Sequence, residues 1–423
     1  MSRIAVYADW DGLGYPRRLG FLHARRSAGG ELFAFEYDSA ALADPQLNTV
    51  QLDPRIGLFT GPQYPEQERT TFGMLADASP DRWGRMLMNR RLEREKRAGN
   101  APRNARLFES DFLLGVHDTY RVGALRFKLD DQDPFLDNRD GMAAPPMIRL
   151  HELEQASRSL EQDEDNTAAH GNDWLRMLIA PGGSLGGARP KASVADHERQ
   201  LWIAKFPSIR DTHDMGAWEL IVNTLANACG LRVASGAAAK YASSHHCFMV
   251  KRFDRTSTGN RLHFVSAMTL TGHTDGEDAS TGVSYLELAE VLITRGANTN
   301  ADLRELWSRI VFNMLVSNTD DHLRNHGFIL EPGRGWHLSP AYDMNPDKYG
   351  HGLKLNVSEN DNALDLDLAR SVAHYFRVSN NDANAIIADV KGVVSQWPTI
   401  ANELGISRQE QDDIGTAFGL AAK

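Results

Sequence analysis

The amino-acid sequence predicts an α+β protein of two lobes, with a β-rich N-terminal part and a mostly helical C-terminal part. Three observations support this prediction. Short β-rich segments open the chain, further strand-like segments surround a glycine-rich stretch near its middle, and apolar residues recur at helical spacing towards its end. Because 423 residues exceed what one ordinary core can bury, we expect more than one domain.

The first 130 residues have the pattern of a small β-rich subdomain with a helical segment. Runs rich in β-branched and aromatic residues are separated by the turn pairs Asp11-Gly12 and Gly29-Gly30. The predicted strands are RIAVYADW (3–10), RLGFLHARR (18–26), ELFAFEYD (31–38) and RVGALRF (121–127). The apolar spacing over residues 71–97 predicts one helical region.

A basic stretch follows from Arg82 to Arg106, with nine arginines and lysines. Two interpretations are open. The stretch is either a solvated helix face or a contact surface for a partner or DNA. Residues 159–173, SLEQDEDNTAAHGND, are polar and acidic, and we expect a flexible connection there.

The second part of the chain begins with the glycine-rich stretch PGGSLGGARPKA (181–192). Its predicted strands are QLWIAKFPS (200–208), AAAKYA (237–242) and HCFMVKRFDR (246–255). Helices are predicted over 214–229, where Gly230 stops the pattern, and over 302–318, the clearest amphipathic stripe. Residues 407–410 predict a capping box that opens a last helix.

Composition restricts the class of protein. The formal net charge is −10, so bulk charge does not favour unaided binding to nucleic acid. Two cysteines, Cys229 and Cys247, argue against a disulfide framework and for a reducing compartment. Neither a signal-peptide pattern nor an apolar run of about 18 residues is present, so we expect a cytoplasmic protein without a membrane span.

Three polar residues point to chemistry. Asp320 and Asn325 lie five positions apart in a loop after the helix at 302–318, and the segments GFIL and WHLSP then lead to Asp343. Protein kinases use this order for phosphoryl transfer to a hydroxyl, with an Asp that accepts the proton and an Asn and a second Asp that bind Mg²⁺. Mg²⁺ prefers such oxygen ligands, and the attacking hydroxyl needs positioning more than a strong base.

Asp320 is followed by two further ionisable residues, Asp321 and His322. Asp321 is a second acidic candidate, but only Asp320 gives the five-residue spacing to Asn325. We expect His322 to brace the loop by a hydrogen bond and not to bind zinc.

Upstream residues agree with phosphoryl transfer. Lys205 ends an apolar strand and Glu219 lies on the next helix, as a kinase requires for the nucleotide phosphates. The glycine-rich stretch precedes that strand, where backbone N–H groups could bind phosphate, and Ser184 and Lys191 add a hydroxyl and a cation. GGSLGG is neither G-x-G-x-x-G nor a P-loop, so it is weak evidence by itself.

These motifs, in this order, resemble the HipA-type serine/threonine kinases, the toxins of bacterial toxin–antitoxin pairs. SLGGARPK resembles the family's phosphate loop, WIAKF its lysine strand and VKRFDR the strand that leads into the nucleotide hinge. NTDDHLRNHGF resembles its catalytic loop and LSPAYDM its metal-binding motif. LADASPDRWGRML and RVGALRF resemble its small N-terminal subdomain.

The resemblance implies a role for each matching residue. Asp320 would be the catalytic base, Asn325 and Asp343 would bind Mg²⁺, and Lys205 would contact the phosphates of ATP. Ser184 matches the serine that family members autophosphorylate, and a phosphate there could not remain beside those of ATP. The other residues expected to bind the nucleotide are Gly186, Gly187, Ala188, Lys191, Lys251, Phe253, His322 and Tyr342.

The resemblance also implies a fold, partners and a target class. We expect a protein-kinase-like fold divided into an N-terminal subdomain (1–130), a kinase N-lobe (131–255) and a helical C-lobe (256–423). A helix-turn-helix antitoxin would neutralise the protein and provide its contact with DNA. The substrate would be a protein, and the family's known target class is an aminoacyl-tRNA synthetase.

The sequence departs from many eukaryotic kinases at two places. Thr319 replaces the Arg before the catalytic Asp, and Met344-Asn345 follow Asp343 where a Phe-Gly pair is usual. Activation by an activation-loop phosphate and a glycine-hinged flip are therefore not expected. A catalytically weak co-repressor subunit is an alternative function, although the intact site residues argue against it. A phosphoesterase using Asp320, Asp321 and His322 would leave the lysine strand unexplained.

Overall fold

The computed structural model describes most of the chain, and its residues cluster into two compact units. The described residues are 2–27, 30–48, 51–66, 69–139, 145–163, 178, 187 and 189–422. The first unit comprises residues 1–210 and 251–265, and the second comprises 211–250 and 266–423. These bounds differ from those of the three predicted segments, and the three-part division stays a prediction.

The strands confirm the β-rich N-terminal part of the predicted α+β class. They are β1 (Ser2–Ala8), β2 (Arg17–Ser27), β3 (Gly30–Tyr37), β4 (Leu125–Lys128), β5 (Lys191–Ala195), β6 (Leu201–Lys205), β7 (Gly236–Ala239), β8 (Cys247–Lys251), β9 (Phe264–Ser266), β10 (Gly327–Glu331) and β11 (Gly335–Leu338). The predicted strand at 121–127 forms only from Leu125 onwards.

The helices confirm the helical C-terminal part. They are α1 (Ser39–Ala43), α2 (Gly73–Asp77), α3 (Arg82–Arg97), α4 (Glu109–Leu114), α5 (Leu150–Gln162), α6 (Met215–Ala228), α7 (Ala267–Thr271), α8 (Tyr285–Arg295), α9 (Thr299–Leu315), α10 (Leu366–Val372), α11 (Asn380–Val394), α12 (Trp397–Glu403), α13 (Arg408–Ile414) and α14 (Gly419–Ala422). In the part of the chain that the structure describes, no helix is long and apolar enough to span a membrane.

An antiparallel sheet in the order β3-β2-β1-β4 forms the base of the first unit. Alternate residues of β1 and β2, such as Ile4 and Leu22, are fully buried and stand opposite each other in the register. The alternation of apolar and polar residues in the sequence therefore fixes which face of the sheet packs on the core.

The helical region predicted over 71–97 is two helices, α2 and α3. Pro80 disfavours helical geometry at the residue before it, and Asp81 then caps α3 by accepting the N–H of Gly84 at 2.8 Å. The helical region is therefore present, and Pro80 divides it into two helices.

Many side chains of the basic stretch make contacts inside the first unit. Arg85 forms a bidentate pair with Glu109, at 2.7 Å for each bond, and Arg94 pairs with Asp163 at 3.1 Å. Arg90 donates to the carbonyl of Leu160. These bonds fasten α3 to its neighbours, a role that neither interpretation of the sequence included.

In the second unit, α9 carries the candidate site at its C-terminal end. The helix begins and ends three residues earlier than predicted, and its apolar stripe, including Leu306 and Ile310, is fully buried. Ser317 adopts a left-handed backbone (φ 49°), which stops the helix and starts the polar loop. The following strands β10 and β11 form the predicted hairpin, with Phe328 opposite Leu338.

The predicted capping box at 407–410 is confirmed only in part. Ser407 accepts the N–H of Glu410 at 3.2 Å, as an N-cap should. The Glu410 carboxylate instead accepts the N–H of Asp214 and the indole of Trp218, at 2.7 and 2.9 Å. This carboxylate therefore holds the start of α6, the helix that carries Glu219.

Arg121 is the fully buried cation of the first unit's core. Its guanidinium donates at 2.7–3.0 Å to four carbonyls, those of Ala78, Leu113, Val116 and Leu136. Burial lowers the pKa of Arg121 to about 10, so the group still carries its charge at neutral pH. One side chain thus satisfies the ends of several loops that would otherwise hold orphaned carbonyls.

Replacing Arg121 by Met should lower the free energy of unfolding by roughly 3–5 kcal/mol, because several buried carbonyls lose their donors. Urea denaturation followed by tryptophan fluorescence measures the change. Arg103→Met, at an exposed position, is the matched control and should fall within about 0.5 kcal/mol of the unmutated protein. Equal stability of both variants would contradict this account.

Candidate active site

The acidic loop, residues 316–326, is folded by its own backbone and amide groups. The N–H of His322 donates to the carbonyl of Asp320, and the N–H of Asn325 donates to the carbonyl of His322, both at 2.8 Å. The Asn325 Nδ2 donates to the same Asp320 carbonyl at 3.1 Å. Asp320 and Asn325 are therefore fixed relative to each other, while the Asp320 residue is exposed to solvent.

The Asn325 side chain has the features of a cation ligand. Its Nδ2 is used by the bond to Asp320, which directs Oδ1 the other way. Among the described residues this buried Oδ1 atom has no hydrogen-bond partner. A buried amide oxygen left without a donor is costly, and a hard cation such as Mg²⁺ would satisfy it.

Asp343 is held beside this loop by its neighbours. The hydroxyl of Tyr342 donates to the carbonyl of Arg324 at 2.7 Å, so the residues directly before Asp343 and Asn325 are in contact. Asp343 itself adopts a left-handed backbone with φ 59°, which is uncommon outside glycine and is tolerated best by Asn and Asp. Such strained positions cluster at functional sites.

Asp321 is buried and serves as a structural acceptor. Its Oδ2 accepts the hydroxyl of Tyr285 at 2.6 Å, and the side-chain nitrogens of Asn313 and His326 at 2.7 Å each. Burial alone would raise the pKa of Asp321, but the charge of His326 and these hydrogen bonds outweigh burial and lower it. Asp321 is only 2% exposed and its Oδ2 is engaged by three donors, so it is not accessible to a substrate hydroxyl.

The residue that braces the acidic loop is His326, whereas His322 was expected to do so. The Nδ1 of His322 is buried and has no hydrogen-bond partner within the described residues, whereas the Nε2 of His326 binds Asp321. The prediction that His322 braces the loop was therefore wrong. The unsatisfied nitrogen leaves His322 able to bind a ligand instead.

Two lysines of the first unit face each other. Lys191 of β5 and Lys205 of β6 are direct partners in the antiparallel register, and both are buried. Like charges directly opposite each other destabilise a sheet unless an anion lies close to them. Lys191 donates to the Asp81 carboxylate at 3.1 Å and to the Gly187 carbonyl at 3.0 Å.

Asp81 is a residue of this basic site that the sequence analysis did not identify. It is buried, caps α3 and pairs with a lysine 110 positions away. The indole of Trp83 also donates to the Lys191 carbonyl at 3.0 Å. A Pro-Asp pair before a helix indicated the cap, but no local signal indicated the lysine.

The hinge-like segment VKRFDR has a firm structural anchor. The Asp254 carboxylate accepts the N–H of Gly123 at 2.9 Å and pairs with Arg252 and Arg255. Burial would raise the pKa of Asp254, but the charges of the two arginines hold it far below its usual range. The two candidate adenine contacts, Lys251 and Phe253, flank Arg252 in this anchored segment.

The remaining predicted residues are distributed as follows. Glu219 is buried on α6 in the second unit, whereas Lys205 belongs to the first. Ser184, Gly186 and Ala188 lie outside the described residues.

Within residues 2–422, gaps excepted, no cluster of three or more His, Cys, Asp or Glu residues could hold a metal. A Mg²⁺ site of Asn325 and Asp343 would need water or phosphate oxygens to complete it.

Comparisons with known proteins give a consistent picture. The model of the HipA-like C-terminal domain matches residues 183–397, half of the chain. A candidate kinase of Haemophilus influenzae is 33% identical over 102 residues, which are 23% of this chain and 30% of that protein. Another, from Sinorhizobium fredii, is 31% identical over 155 residues, 34% of this chain and 36% of that protein. The chain thus spans about a third of the length of these curated relatives.

A solved structure extends the likeness to the whole fold. The complex of Shewanella oneidensis HipA, HipB and operator DNA contains a chain that aligns with 99% of this one and 96% of its own length. The TM-score is 0.63 and the sequence identity is 16%, so this likeness shows the fold. It confirms the predicted HipA-like α+β architecture.

Exchanging each acid of the loop for its amide should separate the two roles. Asp321→Asn should lower the free energy of unfolding by about 2–4 kcal/mol, because a buried, hydrogen-bonded charge is lost. Asp320→Asn should change it by less than about 0.5 kcal/mol, because Asp320 is exposed. Urea denaturation of both variants provides the measurement, and the reverse order of stabilities would refute the assignment.

Proposed function

The chain belongs to the family defined by the HipA-like C-terminal domain, and on this premise we propose that it is an ATP-dependent kinase acting on serine or threonine in a protein. One observation carries the proposal. Within the described residues the buried Asn325 oxygen has no donor; it lies in the same short loop as the exposed Asp320, and that loop is bonded to the residue before Asp343. This is the residue set that phosphoryl transfer requires.

Asp320 would accept the proton of the attacking hydroxyl. Its exposure leaves room for a protein substrate, and the hydrogen bond from the Asn325 amide to the Asp320 carbonyl fixes the backbone from which the carboxylate projects. Positioning of this kind supplies most of the catalysis in phosphoryl transfer, because the transition state needs little help from a base. The neighbouring Asp321 is buried and hydrogen-bonded inside the unit, away from a substrate hydroxyl.

Asn325 and Asp343 would hold Mg²⁺, which supplies neutralising charge to the phosphate oxygens. Both offer the hard oxygen donors that Mg²⁺ prefers, and the Asn325 oxygen is already oriented. The Tyr342 hydroxyl keeps the two ligands in adjacent segments. His322, whose Nδ1 has no hydrogen-bond partner in the part of the chain that the structure describes, would contact the nucleotide.

The lysine pair of the first unit would bind the phosphates of ATP. Lys191 and Lys205 lie opposite each other in β5 and β6, so their two ammonium groups would bind phosphate oxygens together. Lys251 and Phe253 would offer backbone groups to adenine from the segment that Asp254 anchors. Gly186, Gly187 and Ala188 would complete the phosphate loop, with Ser184 as the site of autophosphorylation.

A DNA-binding antitoxin is the proposed partner. The Shewanella oneidensis relative of the same fold was solved together with HipB and operator DNA. A chain with a net charge of −10 has no bulk attraction for DNA, so its contact with an operator would depend on such a partner. We propose that this protein is likewise the kinase toxin of a toxin–antitoxin pair in the cytoplasm.

The variant Asp320→Asn should lose phosphoryl transfer from labelled ATP by about 10²- to 10⁴-fold while its Kd for ATP stays within roughly threefold. Label on the protein itself and on a serine- or threonine-containing substrate is the measurement. Asp412→Asn, at an exposed site, is the matched control and should transfer normally. Equal transfer by the two variants would refute the role of Asp320, and no binding of ATP by the unmutated protein would refute the kinase itself.

Lys205→Met should raise the Kd for Mg-ATP about tenfold or more, since a buried cation facing the phosphates is removed. Lys240→Met removes an exposed lysine at the end of β7 and should leave the Kd unchanged. Isothermal titration calorimetry with a non-hydrolysable ATP analogue compares them. If both variants bind as tightly as the unmutated protein, the lysine pair is not the phosphate site.

A further inference from the structure

The segment that follows Asp343, residues 344–350, has neither helix nor strand. An irregular segment takes its conformation from the individual bonds that its backbone and side chains make. In this protein three of those bonds lead to the three residues directly before Asp320, and Lys348 also pairs with Asp413. The conformation of this segment therefore depends on the acidic loop.

Ser317, Asn318 and Thr319 each contribute one bond. The Ser317 carbonyl accepts the N–H of Asp347 at 2.9 Å, and the Asn318 Oδ1 accepts the N–H of Asn345 at 3.2 Å. The Thr319 hydroxyl donates to the Asp347 Oδ2 at 2.6 Å. The triplet before the candidate base is thus the surface on which the 344–350 segment lies.

The Thr319–Asp347 bond is the strongest of these and is well protected. Its acceptor is a carboxylate, which makes a hydrogen bond about twice as strong as a neutral one. Thr319 is only 8% exposed, and Gly350 packs so closely that a Cβ there would lie 2.1 Å from the Thr319 hydroxyl oxygen. The other Asp347 oxygen accepts the N–H of Tyr349 at 2.8 Å, so the carboxylate orders its own segment as well.

We propose that Thr319 and Asp347 are positioning residues that keep the 344–350 segment ordered without any phosphorylation. The inference rests on the proposed kinase function and specifies its regulation. Kinases that need an activation-loop phosphate use an Arg–phosphate pair for this purpose. Here the Thr319 hydroxyl and the Asp347 carboxylate, both encoded in the sequence, form the equivalent link between the base and the segment after Asp343.

The test compares Thr319→Val, which keeps the shape and loses the hydroxyl, with Thr319→Ser, which keeps the hydroxyl. Thr319→Val should lower kcat for phosphoryl transfer about 10- to 100-fold, because the reacting groups are positioned less well. KM for ATP should stay within about threefold, because ATP is still bound. Thr319→Ser should keep kcat within about threefold. Equal kcat for the unmutated protein and Thr319→Val overturns the proposal.

A double-mutant cycle shows whether the two side chains act together. Asp347→Ala should cost about as much in kcat as Thr319→Val, and the double variant should be no worse than the worse single one. Effects that multiply would mean independent roles and would overturn the link.

Tyr349 is the only residue of the segment with a hydroxyl, so Tyr349→Phe should transfer phosphate normally. A need for that hydroxyl would show control by phosphorylation and overturn the proposal.

Hydrogen exchange separates failure of this inference from failure of the proposed function. It is measured on the full chain without nucleotide, so it needs no activity. Amides of residues 344–350 should exchange about tenfold faster or more in Thr319→Val than in Thr319→Ser, with equal melting temperatures excluding global unfolding. Equal exchange overturns the inference even in an active kinase. Faster exchange in a protein that transfers no phosphate leaves the link intact and refutes the kinase.

Discussion

The buried carboxylate of Asp321 is the interaction on which the candidate site depends. A charge taken out of water is tolerated only when donors surround it, and here the donors come from α8, from α9 and from His326 at the end of the acidic loop itself. The helices α8 and α9 are therefore fixed relative to the acidic loop. The residue before it, Asp320, is exposed as a consequence, since a tight turn sends adjacent side chains in different directions. Two neighbouring acids thus acquire opposite roles.

The first unit follows the same physical rule with one buried cation and one buried anion. Arg121 donates to four loop carbonyls, and Asp254 accepts hydrogen bonds from two arginines and from the N–H of Gly123. Buried ionic groups of this kind add little net stability compared with an apolar core, but breaking one partner is expensive. They therefore favour one arrangement of the loops over its competitors. The pair of Lys191 with Asp81 follows the same rule, and Lys191 is one of the residues proposed to bind the nucleotide.

Local pattern and long-range pairing differ in what a sequence reveals. The strands β1–β3, the helix α9 and the loop and hairpin that follow this helix were predictable, because hydrophobic period, turn residues and spacing are local properties. The pairing of Asp81 with Lys191 was not, since it joins residues 110 positions apart.

The assignment of bracing and exposed residues within the loop was likewise beyond the sequence. The spacing to Asn325 favoured Asp320 over Asp321, but nothing in the letters D-D-H separated a buried acceptor from an exposed acid. His322 lies one position and His326 five positions from Asp321, and the brace is His326, the residue directly before β10. Burial decides such choices, and burial follows from the packing of distant elements.

The backbone at Asp343 explains why this site needs no conformational switch of its own. A left-handed residue other than glycine costs of order 1 kcal/mol and persists only when its surroundings hold it. The surroundings here are the Tyr342 hydroxyl on one side and the bond between Asn318 and Asn345 on the other. Met344 and Asn345 supply no glycine freedom, so a flip at Asp343 would have to break these bonds together. On the proposed function, control of activity is therefore expected to act on other parts of the chain, such as the candidate phosphate loop, while the candidate metal ligands stay in place.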